Sequence, residues 1–89
     1  MATVLITYDL ASPGQKYADL HEAIQAAANW WHCVESTWII KSDLSLEVIR
    51  DRLLASLDSN DKLLVVQLTG AAAWAGFDQD CSSWLTNNL

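Results

Sequence analysis

Basic residues are scarce in this chain: five Lys and Arg stand against eleven Asp and Glu, for a formal charge of −6. That balance argues against tight nonspecific binding to a phosphate backbone, where affinity comes largely from cations. No apolar stretch approaches the roughly 20 residues that span a bilayer, and Met1 to Leu10 has no basic region ahead of its apolar run and no small-residue cleavage site. The expectation is a soluble, cytoplasmic protein without a membrane partner. Cysteine is equally sparse. Cys33 and Cys81 show neither a CxxC pair nor a metal-ligand rhythm, so reduced, buried thiols are expected rather than a disulfide or a zinc site. The glycines, Gly14, Gly70 and Gly76, are scattered with no GxGxxG and no GxxxxGK[ST], which leaves out a standard phosphate-cradling loop. No GxSxG surrounds any serine, and neither histidine has an i, i+4 partner, so a hydrolase triad and a zinc pair have no support. Tandem repeats and low-complexity segments are lacking too.

What is abundant is apolar surface. Hydrophobic residues make up 52% of the 89 positions, and five of them are Trp. A chain of this size has room for one core, so residues 1–89 are read as a single domain with its core over about 3–70 and an extension over 71–89. Such a domain removes only about 60 to 65% of its unfolded surface from water. The surplus of apolar residues therefore points to surface covered by a second copy, and a homodimer is expected.

The pattern changes period along the chain. Thr3 to Leu10 is nearly all apolar until Asp9, as in a central strand covered on both faces. Ala11-Ser12-Pro13-Gly14 breaks it. Tyr17, Leu20, Ile24 and Ala27 then recur at helical spacing, to about Ala28. Trp30 to Lys41 returns to aromatic and β-branched residues with a break at Glu35-Ser36, read as two short strands or one strand with a bulge. Ser45 suits an N-cap, with Leu46, Ile49, Leu53 and Leu57 as the stripe of a second helix. Asp58 to Asp61 is a turn cluster, and Leu63 to Leu68 is a buried-strand pattern expected beside the first strand. Asp78 or Asp80 caps a short final helix on which Cys81, Trp84 and Leu85 face one way. The order strand, helix, strand, strand, helix, strand is that of an α+β, ferredoxin-like βαββαβ sandwich. Two helices would cover one face of a four-stranded antiparallel sheet, with the short C-terminal helix added. The other face is expected to stay open and to receive the twin.

Chemistry-bearing residues are few. Asp9 ends an apolar strand, where a carboxylate near the interior needs a cation or hydrogen-bond donors; a divalent metal answers that need, and so does an Asx arrangement with the following turn. A lone Asp is a thin metal set, but two copies would bring two to a shared axis and one bridging ion. His32 is a candidate general acid or base, or else a packed or half-exposed strand residue, and His21 is read as solvated on the surface of the first helix. Ser36 and Thr37 sit at the break, where irregular backbone turns hydroxyls toward a ligand. Tyr8, Trp30, Trp31 and Trp38 offer faces on which bases stack, or else pack in a core or dimer.

Three segments carry a family likeness: Val4-Leu5-Ile6-Thr7-Tyr8-Asp9-Leu10, Trp31-His32-Cys33-Val34-Glu35-Ser36-Thr37-Trp38-Ile39-Ile40 and Asp61-Lys62-Leu63-Leu64-Val65-Val66-Gln67-Leu68. Together they resemble the small CRISPR-adaptation nuclease family, Cas-two (CRISPR-associated endoribonucleases), and its VapD-like and SinR-like relatives, over about residues 3 to 70. The resemblance implies a ferredoxin-like homodimer acting as a metal-dependent endoribonuclease. It places Mg²⁺ on Asp9 and a supporting role near the phosphate on Ser36. In such a nuclease the residue-level readings above would give His32 an assisting role, and Tyr8, Thr37 and Trp38 contacts with RNA or a small nucleotide. The sequence departs from the family in its scarcity of cations, which argues against duplex DNA bridging, and in an Ala-rich loop and helix after Gly70 where a further strand is usual. The alternative is a non-catalytic dimeric module that binds a nucleotide or a protein.

Overall fold

A computed structural model describes residues 1–12 and 17–89 of the chain, so the expected Pro13-Gly14 break lies outside the described residues. The elements follow in the order β1 (Ala2–Asp9), α1 (Ala18–Gln25), β2 (Trp30–Val34), β3 (Thr37–Ser42), α2 (Leu46–Leu54), β4 (Lys62–Gln67) and α3 (Gln79–Asn88). The strands form one sheet in the order β2-β3-β1-β4, and every neighbouring pair is antiparallel. The described residues therefore form a mixed α+β fold with a four-stranded antiparallel sheet and three helices. Among the described residues, no helix is long and apolar enough to cross a membrane.

Local chemistry accounts for the element ends. Ser45 caps α2 by accepting a hydrogen bond from the Val48 amide at 3.2 Å, and Asp78 caps α3 from the Cys81 amide at 2.8 Å. Helix α1 is shorter than its apolar spacing implies, stopping at Gln25 rather than Ala28, and Tyr17 at its start makes no side-chain cap. Eight residues without a cap form a marginal helix in isolation, so α1 depends on burying Leu20 and Ile24. The break at Glu35-Ser36 is the turn of a hairpin joining β2 to β3, with a register shift between Trp31 and Val34. Of the two readings of this break, two short strands is the one observed, and the irregularity lies within β2 rather than at Glu35-Ser36.

Alternation along the strands divides the side chains between two layers. On one face, Val4, Ile6 and Tyr8 of β1 and Trp38 and Ile40 of β3 pack against Leu20 and Ile24 of α1 and Ile49 and Leu53 of α2. Full burial of such side chains contributes about 1.5–3 kcal/mol each, so this layer carries most of the stability. Leu63 and Val65 of β4 extend it.

The opposite face departs from the expectation that it stays open. There α3 lies across the β2 and β3 half, where Leu85 meets Trp31 and Ile39, with Cys33, Leu68, Phe77, Cys81 and Trp84 packed around them. Gly70, at a φ of 95°, helps turn the chain out of β4 toward that helix, a conformation that side-chain-bearing residues rarely adopt. Polar contacts complete the docking. The Trp31 indole N–H donates to the Cys81 carbonyl at 3.1 Å, and Lys41 Nζ and Thr3 Oγ1 both donate to the Asn88 carbonyl. Cys33 and Cys81 are joined as a disulfide, contrary to the reduced thiols expected. Spacing in sequence had no bearing on it, because a β2 residue and an α3 residue 48 positions apart meet only once α3 has docked. The β1 and β4 half of this face remains bare, with Leu64 56% and Val66 39% exposed.

Candidate functional site

The six residues singled out from the sequence do not assemble into one site. Tyr8 and Asp9 are consecutive in β1 and so point to opposite faces of the sheet. Tyr8, Trp38 and His32 lie on the face covered by α1 and α2, whereas Asp9 lies on the other face with Thr7 and Thr37.

On the helix-covered face the aromatic residues form a closed cluster. The Trp38 indole N–H donates to the Tyr8 hydroxyl at 3.1 Å, and that hydroxyl lies 3.3 Å from His21 Nε2. A phenol that accepts from Trp38 still has its own proton to give, so donation from Tyr8 to His21 Nε2 satisfies all three groups. The His32 ring stacks on the Trp38 indole, with centroids 3.7 Å apart and planes 14° from parallel, and His21 stands 6.0 Å from His32. His32 Nε2 lies 2.9 Å from the Glu35 carbonyl; a carbonyl only accepts, so this nitrogen carries a proton and donates it.

These contacts fix where Tyr8, Trp38, His32 and His21 sit. Trp38 is 1% exposed with one face covered by His32, so it has no free face for a base, and Tyr8 is buried with its hydroxyl engaged. His32 is held by its stack on Trp38 and its bond to the turn, as a packed strand residue would be. His21 is not merely solvated, since it closes the hydrogen-bond chain that ties α1 to the end of the sheet.

On the other face, Thr7 Oγ1 donates to the Ser36 carbonyl at 3.2 Å and lies 3.2 Å from Thr37 Oγ1, directly across the β1–β3 ladder. The Ser36 carbonyl also accepts from the Tyr8 amide at 3.2 Å. Ser36 thus serves the hairpin through its backbone, and Thr37 belongs to a cross-strand hydroxyl pair. Asp9 is exposed and opposes Lys62 in the β1–β4 ladder. Thr7, Tyr8, Asp9, Lys62, Leu63 and Leu64 line a shallow recess of about 200 Å³ there. A larger cavity of about 220 Å³ lies at the far end of the sheet, between α1 and α2, and includes none of the six candidates.

The donor set does not fit Mg²⁺ within one copy. Among the described residues, no group of three or more His, Cys, Asp or Glu is placed to hold a metal ion. Asp9 brings a single carboxylate, with a lysine as its cross-strand neighbour, whereas a divalent cation takes several oxygen ligands.

The carboxylate that organises this end of the molecule is Asp61. Its Oδ1 accepts from the Ala11 amide at 2.8 Å and from the Tyr17 hydroxyl at 3.3 Å, and its Oδ2 accepts from the Asp58 amide at 2.9 Å. The bonds from Ala11 and Asp58 hold its carboxyl below the usual carboxylate range. Burial, then the nearby charge of Asp61, pushes the Tyr17 hydroxyl above its ordinary value. Through the Ala11 amide, Asp61 thus anchors the chain just after β1. Its place in the Asp58 to Asp61 turn cluster was a usable signal, because a turn aspartate has its carboxylate free for neighbouring amides.

No protein-family model and no curated protein matches the chain. The Cas-two likeness therefore stands on the three quoted segments alone.

Proposed function

We propose that this chain is a non-catalytic protein-binding module, of ferredoxin-like topology, that works as a homodimer. The observation that carries this reading is the exposed pair Leu64 and Val66 on the bare half of the sheet, in a molecule whose candidate chemical residues are divided between two faces. Burying such a strip against a partner removes apolar area from water at about 25 cal/mol per Å². The formal charge of −6 disfavours a polyanion as that partner. The strand order read from the other edge, β4-β1-β3-β2, with α1 and α2 on one face, is the order a ferredoxin-like sandwich requires and supports that topology. A cytoplasmic location remains part of the reading; there the Cys33–Cys81 bond would be a transient one, as intracellular disulfides usually are.

Sedimentation equilibrium of the wild type and of Leu64→Asp tests the proposal. Leu64 is more than half exposed, so the substitution leaves the core intact, and the variant is expected to be monomeric where the wild type self-associates. A wild type that stays monomeric at high concentration would end this reading.

A second reading, a Mg²⁺-dependent endoribonuclease, is favoured by one feature: the exposed Asp9 carboxylate lines a recess beside the same bare strip. It requires a second carboxylate from a twin. Its test is RNA cleavage that depends on added Mg²⁺ and is lost in Asp9→Ala.

A further inference from the structure

The two edges of the sheet are not equivalent. β2 carries the register shift between Trp31 and Val34, a bulge of the kind that blunts an edge against pairing. β4 is regular over its length, pairs with β1 at every position from Lys62 to Gln67, and contains no Pro or Gly and only one charge, Lys62. Among the described residues nothing pairs with its outer side.

The direction of its backbone groups follows from one hydrogen bond. The Leu68 amide donates to the Thr3 carbonyl at 2.8 Å, and these two residues are the next opposed pair after Val4 and Gln67. In an antiparallel ladder, opposed pairs alternate between those that exchange both hydrogen bonds and those that exchange none. Leu64, Val66 and Leu68 therefore turn their backbone N–H and C=O groups toward β1, and Leu63, Val65 and Gln67 turn theirs outward. The outward groups are spaced symmetrically about Val65.

We propose that β4 pairs antiparallel with β4 of a second copy, with the two-fold axis beside Val65, so that the two sheets become one. This rests on the reading that the chain dimerises and specifies the surface. In this register Val65 opposes its own counterpart, and Leu63 opposes Gln67 of the partner subunit. Each outward residue then donates one hydrogen bond and accepts one. Opposed residues share a face, so the same register sets Leu64 against Val66 of the partner subunit and covers the exposed apolar pair of both copies. The occupant is a second copy because one register satisfies the outward amides and the apolar strip together, and both are symmetric about one residue. Two copies each bearing a charge of −6 repel, so the dimer tightens as salt rises.

Amide hydrogen exchange by NMR on the intact, oxidised chain, at low and at high protein concentration, tests the pairing. On concentrating, the amides of Leu63, Val65 and Gln67 slow by about tenfold or more, while those of Ser59 and Asn60 in the exposed turn do not. Dimerisation without protection of those three amides overturns the edge pairing and leaves the homodimer standing; a chain that stays monomeric at high concentration overturns both. Gln67→Pro provides a second measurement. Its missing N–H points outward and its side chain is exposed, so the β1–β4 ladder survives. Losing one donor from each copy raises the dissociation constant by about thirtyfold. A Gln67→Pro chain that keeps the β1–β4 ladder and dimerises like wild type overturns the register, and if that variant fails to fold, the exchange pattern decides alone.

Discussion

Replacing both cysteines with alanine, Cys33→Ala with Cys81→Ala, removes the covalent tie between β2 and α3 and tests how that helix is held. The two residues are 48 positions apart. Closing a loop of that size in the unfolded chain corresponds, in the chain-entropy description, to about 4 kcal/mol at 25 °C. Alanine is the suitable replacement because the bond lies among Trp31, Ile39, Phe77 and Leu85, where a serine hydroxyl would lack a partner. The folded state keeps α3 in place through the Leu85 packing and the polar contacts at Cys81 and Asn88, so the loss should fall mainly on the unfolded side. Urea unfolding of the oxidised wild type and the double variant should show a stability lower by about 2–4 kcal/mol. The slope with denaturant should be steeper for the variant, since an uncrosslinked chain exposes more surface on unfolding. A stability change under about 1 kcal/mol with an unchanged slope would refute the reasoning.

Other outcomes follow from single contacts. Tyr8→Phe strips the acceptor from the buried Trp38 indole N–H and should lower stability by about 1–3 kcal/mol in chemical unfolding; a variant as stable as wild type would mean that water replaces the hydroxyl. Asp61→Ala should be less stable than wild type at neutral pH. Because the folded-state pKa of Asp61 is lowered, that difference is full above about pH 4 and closes as pH falls through the lowered value, which acid unfolding of the two proteins measures. With the nuclease reading set aside, Mg²⁺ should produce no RNA cleavage in either wild type or Asp9→Ala, and cleavage by the wild type alone would reverse that choice.

Much of the fold is legible in the amino-acid order because it rests on local chemistry. The Ser45 and Asp78 caps, the turn at Glu35-Ser36 and the alternation of strand and helix patterns each involve residues a few positions apart. The candidate site was less legible, since it depends on which strand faces meet. One part was nonetheless available: consecutive strand residues point to opposite faces, so Tyr8 and Asp9 would not both face the helices. What periodicity could not provide was the destination of α3. The facing of Cys81, Trp84 and Leu85 identifies a buried stripe, but nothing in that stripe says that it lands on Trp31 and Ile39 rather than on a twin. The disulfide was hidden for the same reason, being a contact between elements 48 positions apart, and the role of His21 depended on how α1 docks against the end of β1.

The landing of α3 also changes what the apolar composition means. An excess of hydrophobic residues in a short chain has two outlets, a partner or a helix of its own, and here the chain uses its own helix for half of the second face. A partner lying flat across the whole sheet would have to displace α3, which a disulfide and several hydrogen bonds oppose. What remains on the β1 and β4 half is narrow: Leu64 and Val66 beside the free edge of β4. A strip of that width is poorly suited to face-to-face packing, where the interface core must be broad enough to exclude water, but it suits edge pairing, in which main-chain hydrogen bonds contribute and few side chains need covering. The helix that closes the core of one copy therefore also selects how two copies meet.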